Sequence, residues 1–230
     1  MLKKARRFTR SEMMVMEMLS TNEWTRPIYF ATTIGSDYHL GLDPYLELTG
    51  MAYRITPERS KDGKPRVNTA EMYENMLHKF KYGNMNVPGI YIDENTMRMC
   101  RTHRMMFSAL IEALYKEGQR EKCLEVLDFA EQMLPGYNIP YDYTSATMAV
   151  HYYYLGEMEK GNAIMTKLAD SCVEYLVWGA SLDKEQRASS QSTLGHQMAV
   201  LGYVLQSWER FQQNDLFDKY YDVYAQSANR

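Results

Sequence analysis

The chain has 230 residues, and 26 Lys and Arg residues against 29 Asp and Glu residues give a formal net charge of −3. Such a small charge creates no field that would favour nucleic acid as a partner. Hydrophobic residues make up 45% of the chain, which is enough to build a buried core and excludes an intrinsically disordered protein. The sequence therefore predicts a folded protein that does not bind nucleic acid.

No stretch approaches the roughly 18 consecutive apolar residues of a membrane-spanning helix, so we expect no direct membrane insertion by this segment. The basic residues of the opening segment are not followed by an apolar run of signal-peptide type. These residues are Lys3, Lys4, Arg6, Arg7 and Arg10. A complete protein with this sequence is expected in the cytoplasm, an expectation that does not hold for a fragment.

The first 92 residues predict a small mixed α/β segment. Ser11 is a candidate N-cap for a short helix, and β-branched and aromatic residues over 24–33 predict a strand. Residues 42–50 predict a short helix ending at Gly50. Alternation over residues 51–56 predicts a second strand that could pair with the first, and Asn68 opens a helix that runs to about Tyr82.

Residues 93–230 predict a helical domain. The expected helices cover about 96–117, 120–134, 142–155 and 157–178, followed, after a polar stretch over 181–192, by one helix to about 211 and another over 215–228. Two successive helix–glycine–helix units resemble tetratricopeptide repeats. The first helical hairpin matches that pattern well, at Phe107, Leu110, Leu114, Gly118, Cys123, Leu127, Ala130 and Pro135. The second fits loosely, and the last helices are expected to act as a cap. The predicted fold class is mainly α, with helical hairpins in an α-α superhelix behind the α/β segment.

Three strings resemble the C-terminal region of a family of large bacterial membrane proteins related to protein O-mannosyltransferases. They are NEWTRPIYFATT at 22–33, GLDPYLELTGMAYRITP at 41–57 and KFKYGNMNVPGIYIDE at 79–94. The resemblance implies a soluble domain that follows a multi-spanning glycosyltransferase-like part, on the periplasmic side. The catalytic residues would then lie upstream of this chain. A basic opening segment beside a membrane span favours the cytoplasmic side instead.

The inner face of the predicted repeat helices offers a groove for a protein or glycan. Its candidate residues are Glu112, Tyr115, Tyr143, Val150 and Tyr153. Tyrosines on a concave wall can stack on sugar rings or hold an extended peptide. The N-terminal strands or the C-terminal helices could equally fill this groove.

Arg98, Arg101 and Arg104 recur every three residues near the start of a predicted helix. A cationic stripe beside the free amides of a helix N-terminus can bind an anion. The alternative is that Asp93, Glu94 and solvent neutralise the stripe.

No cofactor or metal site is predicted. The histidines show no metal-binding spacing, and Cys100, Cys123 and Cys172 form no CxxC pair. Asp37, His39 and Asp43 lie close together in sequence and could serve as acid and base only if their environments separated their pKa values; a polar turn is the simpler interpretation. Nucleophile elbows, phosphate-binding loops and dinucleotide fingerprints are absent from the sequence.

These features favour a non-catalytic accessory or recognition domain of a membrane glycosyltransferase-like protein, whose partners are a protein, a glycan or the membrane part of the parent chain. One alternative is a domain that contributes directly to sugar binding or glycosyl transfer. A second alternative is a free-standing tetratricopeptide adaptor.

Overall fold

The computed structural model describes residues 8–228, and the chain divides between Lys81 and Tyr82 into two compact units. Lys3, Lys4, Arg6 and Arg7 of the basic opening segment lie outside the described residues. The predicted fold class, mainly α with a small mixed α/β segment, is confirmed. The predicted domain boundary at residue 92 stays a prediction.

The first unit contains a helix, α1 (Arg10–Thr21), and a small sheet. The N-cap of helix α1 is Thr9, two residues before Ser11, because Thr9 and Glu12 form a capping box. The strands are β1 (Tyr29–Ala31), β2 (Leu46–Leu48), β3 (Ala52–Ile55) and β4 (Arg66–Val67). Their order in the sheet is β1-β3-β2-β4, with β2 and β4 parallel and the other pairs antiparallel.

The two faces of this sheet differ in chemistry because side chains alternate along each strand. One face packs Phe30, Leu46 and Ile55 into a small core, against which Val15 and Leu19 of α1 also lie. The opposite face carries a row of directly paired residues, one from each strand: Tyr29, Arg54, Glu47 and Arg66. The sheet therefore has an apolar core side and a charged side.

The prediction of a helix over residues 42–50 is wrong. A single 3-10 turn, Asp43–Tyr45, leads directly into β2. Leu46 and Leu48 are both buried while Glu47 between them pairs with Arg54, a two-residue period that only a strand satisfies. Gly50 closes the hairpin to β3 with φ 144°, a backbone conformation that residues other than glycine rarely adopt.

The predicted strand and helix on either side of this hairpin are confirmed in part. Of residues 24–33 only Tyr29–Ala31 pair as a strand, with β3 as predicted. Asn68 is the N-cap of α2 (Thr69–Glu74), and its side-chain oxygen accepts from the Glu71 amide at 3.0 Å. The chain then continues as a π-helical turn, Asn75–Lys79.

The second unit is a succession of helices. They are α3 (Glu94–Lys116), α4 (Arg120–Met133), α5 (Tyr143–Leu155), α6 (Met158–Ser181), α7 (Lys184–Arg210) and α8 (Asn214–Ala228). The helix expected after the polar stretch over 181–192 begins earlier, within that stretch, because the Asp183 side chain accepts from the Gln186 amide at 2.8 Å and caps α7. Among residues 8–228, no helix combines the length and the apolar character needed to cross a membrane.

The interior of the second unit is formed by the positions that the repeat pattern selects on α3 and α4. They are fully or almost fully buried: Phe107, Leu110, Leu114, Cys123, Leu127 and Ala130. Successive helices pack against each other, and α5 contacts both α3 and α7. Helices α7 and α8 therefore extend the stack at its C-terminal end.

Candidate functional site

The five predicted groove residues do not form one open surface. Tyr153 is 2% exposed and Val150 is also buried. Glu112 is exposed and forms an ion pair with Lys116 at 2.6 Å. Tyr115 stacks on Tyr154 with ring centroids 5.2 Å apart, so the predicted residues are divided between the interior and separate surface contacts.

Helix α7 occupies the space beside the α5 tyrosines. The Tyr153 hydroxyl donates to Asn162 at 2.8 Å and accepts from the Trp208 indole N–H at 3.1 Å. Burial raises the pKa of Tyr153 to about 12, so its hydroxyl stays neutral. Tyr143 is more exposed but lies against the ring of Tyr203, 4.9 Å between centroids. The C-terminal helices thus fill much of the predicted groove.

The three arginines of the predicted anion site are also separated. Arg98 is exposed and lies 3.6 Å from Glu94, and Arg101 is exposed. Arg104 is 3% exposed and donates to three backbone carbonyls, those of Leu134, Ile139 and Pro140, at 2.8–3.2 Å. The predicted stripe is therefore wrong for Arg104, whose guanidinium holds the loop between α4 and α5.

The turn after β1 brings together only two of its three candidate groups. His39 Nδ1 lies 2.9 Å from Asp43 Oδ1, whereas Asp37 is exposed. His39 is buried, with its ring stacked on Phe30 at 5.4 Å. Within the described part of the chain, no three His, Cys, Asp or Glu side chains come together in a way that could hold a metal ion. His39 therefore packs in the interior of the first unit, while Asp43, with 33% of its side chain exposed, is its partner nearer the surface.

The candidate site is instead a cleft of about 450 Å³ on the charged side of the sheet. We call it the sheet cleft. Its lining comes from the turn of residues 22–28, from the paired row of the sheet and from the chain after β3. The charged and aromatic lining residues are Trp24, Arg26, Glu47, Arg54, Glu58 and Arg66. This volume lies within the range of about 300–1,000 Å³ that small-molecule sites occupy.

A closed turn presents Trp24 at the rim of the sheet cleft. The Thr25 amide and hydroxyl both donate to the Asn22 carbonyl, at 2.9 and 2.8 Å, and the Asn22 side-chain amide donates to the Arg26 carbonyl at 2.7 Å. Glu23 and Trp24 both have left-handed backbones, with φ 47° and 58°. Each such residue costs roughly 1–2 kcal/mol, and strain of this kind concentrates at functional sites. The Trp24 side chain is 54% exposed.

Charged side chains cross the floor of the sheet cleft as a connected network. Glu47 is buried and accepts from Arg54 in a short contact and from Arg66 Nε at 3.1 Å. Glu71 lies 2.9 Å from Arg54, and Glu58 lies 3.3 Å from Arg66. The direct pairing of Glu47 with both arginines in the sheet register fixes this arrangement.

The network keeps Glu47 ionised. Burial by itself would raise the pKa of Glu47, but hydrogen bonds from Arg54 and Asn68 and the charges of Arg54 and Arg66 outweigh burial and hold that pKa below its ordinary value. A carboxyl group with a lowered pKa is a poor proton donor near neutral pH. The floor of the sheet cleft is therefore suited to hydrogen bonding and not to general acid catalysis.

Only an indirect signal in the sequence points to this site. Trp24 and Arg26 lie in the string 22–33, which we interpreted as a strand and as a family resemblance. A Trp and an Arg next to Pro27, in a stretch that need not pair as a strand, is the signal that could have indicated an exposed turn. The rest of the sheet cleft depends on strand register, which brings residues 47, 54 and 66 side by side.

Comparison with known proteins identifies a relationship for the first unit. The sequence model of the family described as TMEM260-associated domain 2 matches residues 1–75. The match includes all the residues that line the sheet cleft, among them Trp24, Arg54 and Arg66. No curated protein and no solved structure matches the chain. Residues 1–75 are thus similar to a TMEM260-associated domain.

Proposed function

We propose that this chain is a non-catalytic recognition domain of a membrane glycosyltransferase-like protein and that it binds a glycan in the sheet cleft. The observation that carries the proposal is the combination of an exposed Trp24 with a floor of hydrogen-bonding Arg54, Glu47 and Arg66. A sugar ring presents C–H groups to the face of an aromatic ring and hydroxyl groups at its edge, and this cleft offers a partner for each.

The sequence resemblance and the similarity of residues 1–75 to a TMEM260-associated domain support the proposed parent protein. In this proposal the parent is a bacterial multi-spanning protein of the O-mannosyltransferase-related type, with this chain on the periplasmic side. The second unit serves as a tetratricopeptide-like helical scaffold. Because α7 fills the predicted tyrosine groove, the proposed binding surface lies on the first unit.

Binding to an immobilised glycan panel tests this function. The labelled protein is compared with Trp24→Ala and with the matched control Trp178→Ala, whose indole is 46% exposed on α6. We expect the unaltered protein and Trp178→Ala to bind the same glycans. We expect Trp24→Ala to lose about tenfold in affinity, by analogy with the about 1–3 kcal/mol that a nucleic-acid base gains by stacking on an aromatic side chain. Equal binding by all three proteins, or by none, contradicts the proposal.

A further inference from the structure

The charges around the sheet cleft balance each other. The lining holds three guanidinium groups, on Arg26, Arg54 and Arg66, and two carboxylates, on Glu47 and Glu58. A third carboxylate, on Glu71 outside the lining, lies 2.9 Å from Arg54, so the sum is 3 − 3 = 0. Arg26 forms no ion pair with a described residue. The other five groups form the connected network, which by itself carries 2 − 3 = −1.

This balance works against a charged ligand. An anion placed over the floor would meet a network with one excess carboxylate, and a cation would meet the guanidinium of Arg26 at the rim. Arg26 could pair with an anion, but it is exposed at the rim, where an ion pair contributes little. Either ligand would also have to give up part of its own hydration, which is costly for an ion. A neutral ligand does not incur this desolvation cost.

The network nevertheless keeps hydrogen-bonding capacity. Arg66 uses Nε for Glu47 and Nη2 for Glu58 and the Thr56 hydroxyl at 3.2 Å, which leaves its Nη1 group without a described partner. Arg26 adds donors at the rim, and Glu58, whose side chain is 78% exposed, adds acceptor oxygens. Donors and acceptors side by side suit a pair of neighbouring hydroxyl groups, each of which donates and accepts.

We propose that the sheet cleft selects an uncharged saccharide, with its ring against Trp24 and neighbouring hydroxyl groups on Arg66 and Glu58. This inference rests on the proposed function and adds the chemical class of the ligand. It also assigns a specificity role to Glu58, whose carboxylate balances Arg66 and so discriminates against acidic sugars.

The test uses matched sugars that differ only in charge. The probes are the methyl glycosides of glucose, mannose and galactose, each beside its uronate. Binding is followed by the indole N–H nuclear magnetic resonance signal of Trp24, assigned by its loss in Trp24→Phe. We expect at least one neutral glycoside to shift this signal with higher affinity than its uronate.

Two charge variants then sharpen the result. Glu58→Gln should raise uronate affinity relative to the neutral sugar by about two- to fivefold, the range that exposed charge pairs contribute. Glu74→Gln, an exposed carboxylate of the first unit outside the cleft, should leave that ratio unchanged. Uronates that bind the unaltered protein as tightly as the neutral glycosides overturn this inference while leaving glycan binding intact. If no probe and no panel glycan shifts the Trp24 signal, the proposed function itself falls.

Discussion

The two units use the same residue types in opposite ways. In the second unit Arg104 and Tyr153 are buried, and their polar groups meet backbone carbonyls, the Asp142 carboxylate, the Asn162 amide and the Trp208 indole. In the first unit Trp24 and Arg26 are exposed at the rim of a cleft. The difference teaches that an aromatic–arginine pattern indicates a binding surface only where the fold leaves its polar groups partly unused.

The largest expected effect is the loss of Arg104. Arg104→Met removes a buried cation that serves three carbonyls and lies 3.5 Å from Asp142, so we expect a loss of about 2–4 kcal/mol in the free energy of unfolding. Urea unfolding followed by circular dichroism measures it. The matched control is Arg101→Met, an exposed arginine of the same helix. Equal stability of the two variants would show that Arg104 is not structural.

The next effect concerns the buried tyrosine hydroxyl. Tyr153→Phe leaves the fully buried Trp208 indole N–H and the Asn162 amide without this partner, which costs about 1–3 kcal/mol. Thermal unfolding monitored by circular dichroism reports the change. Tyr154→Phe is the control, since its neighbours are ring contacts. Glycan binding should not change in either variant. A loss of binding in Tyr153→Phe would indicate that the glycan binds near the α5 tyrosines and not in the sheet cleft.

A pH dependence is expected from Glu47. Because its folded-state pKa is lowered, the ionised carboxylate stabilises the fold above its ordinary pKa of 4.5, and this contribution is lost as the pH falls through the lower folded-state value. Glu47→Gln should therefore lower the free energy of unfolding by about 1–2 kcal/mol at pH 7. The difference in free energy of unfolding between this variant and the unaltered protein should become smaller below about pH 4.5. A gap that stays constant down to pH 3 would contradict the assigned network.

The smallest expected effect on stability is that of Trp24. Trp24→Ala removes an exposed ring from a strained turn, so we expect a change within about 0.5 kcal/mol together with the loss of glycan binding. Melting temperature and glycan binding are measured on the same sample. A variant that unfolds early would mean that Trp24 holds the turn together instead of presenting a platform.

The helical unit could be predicted almost completely from the sequence. Its helix limits follow from local signals, such as Gly156 at the end of α5, with φ 92°, and the apolar period of Leu110 and Leu114. The error at 181–192 arose because the Asp183–Gln186 capping box was not recognised.

The sheet cleft could not be predicted in the same way. Its residues come from four separated segments, and three-residue strands carry too few positions to show a period, as residues 42–50 demonstrate. The prediction of an open tyrosine groove was wrong for a different reason. The sequence assigns Tyr153 to a helix face but does not indicate that Trp208 of α7 covers that face.

One measurement tests the central claim most directly. The amide signals of the whole chain are mapped by nuclear magnetic resonance while the tightest neutral glycan of the panel is added. We expect the shifts to cluster at residues 22–28, 47, 54–58 and 66–68, which line the sheet cleft. Shifts confined to the neighbourhood of Tyr115 and Tyr143, with residues 22–28 unmoved, would contradict it and return the binding surface to the helical unit.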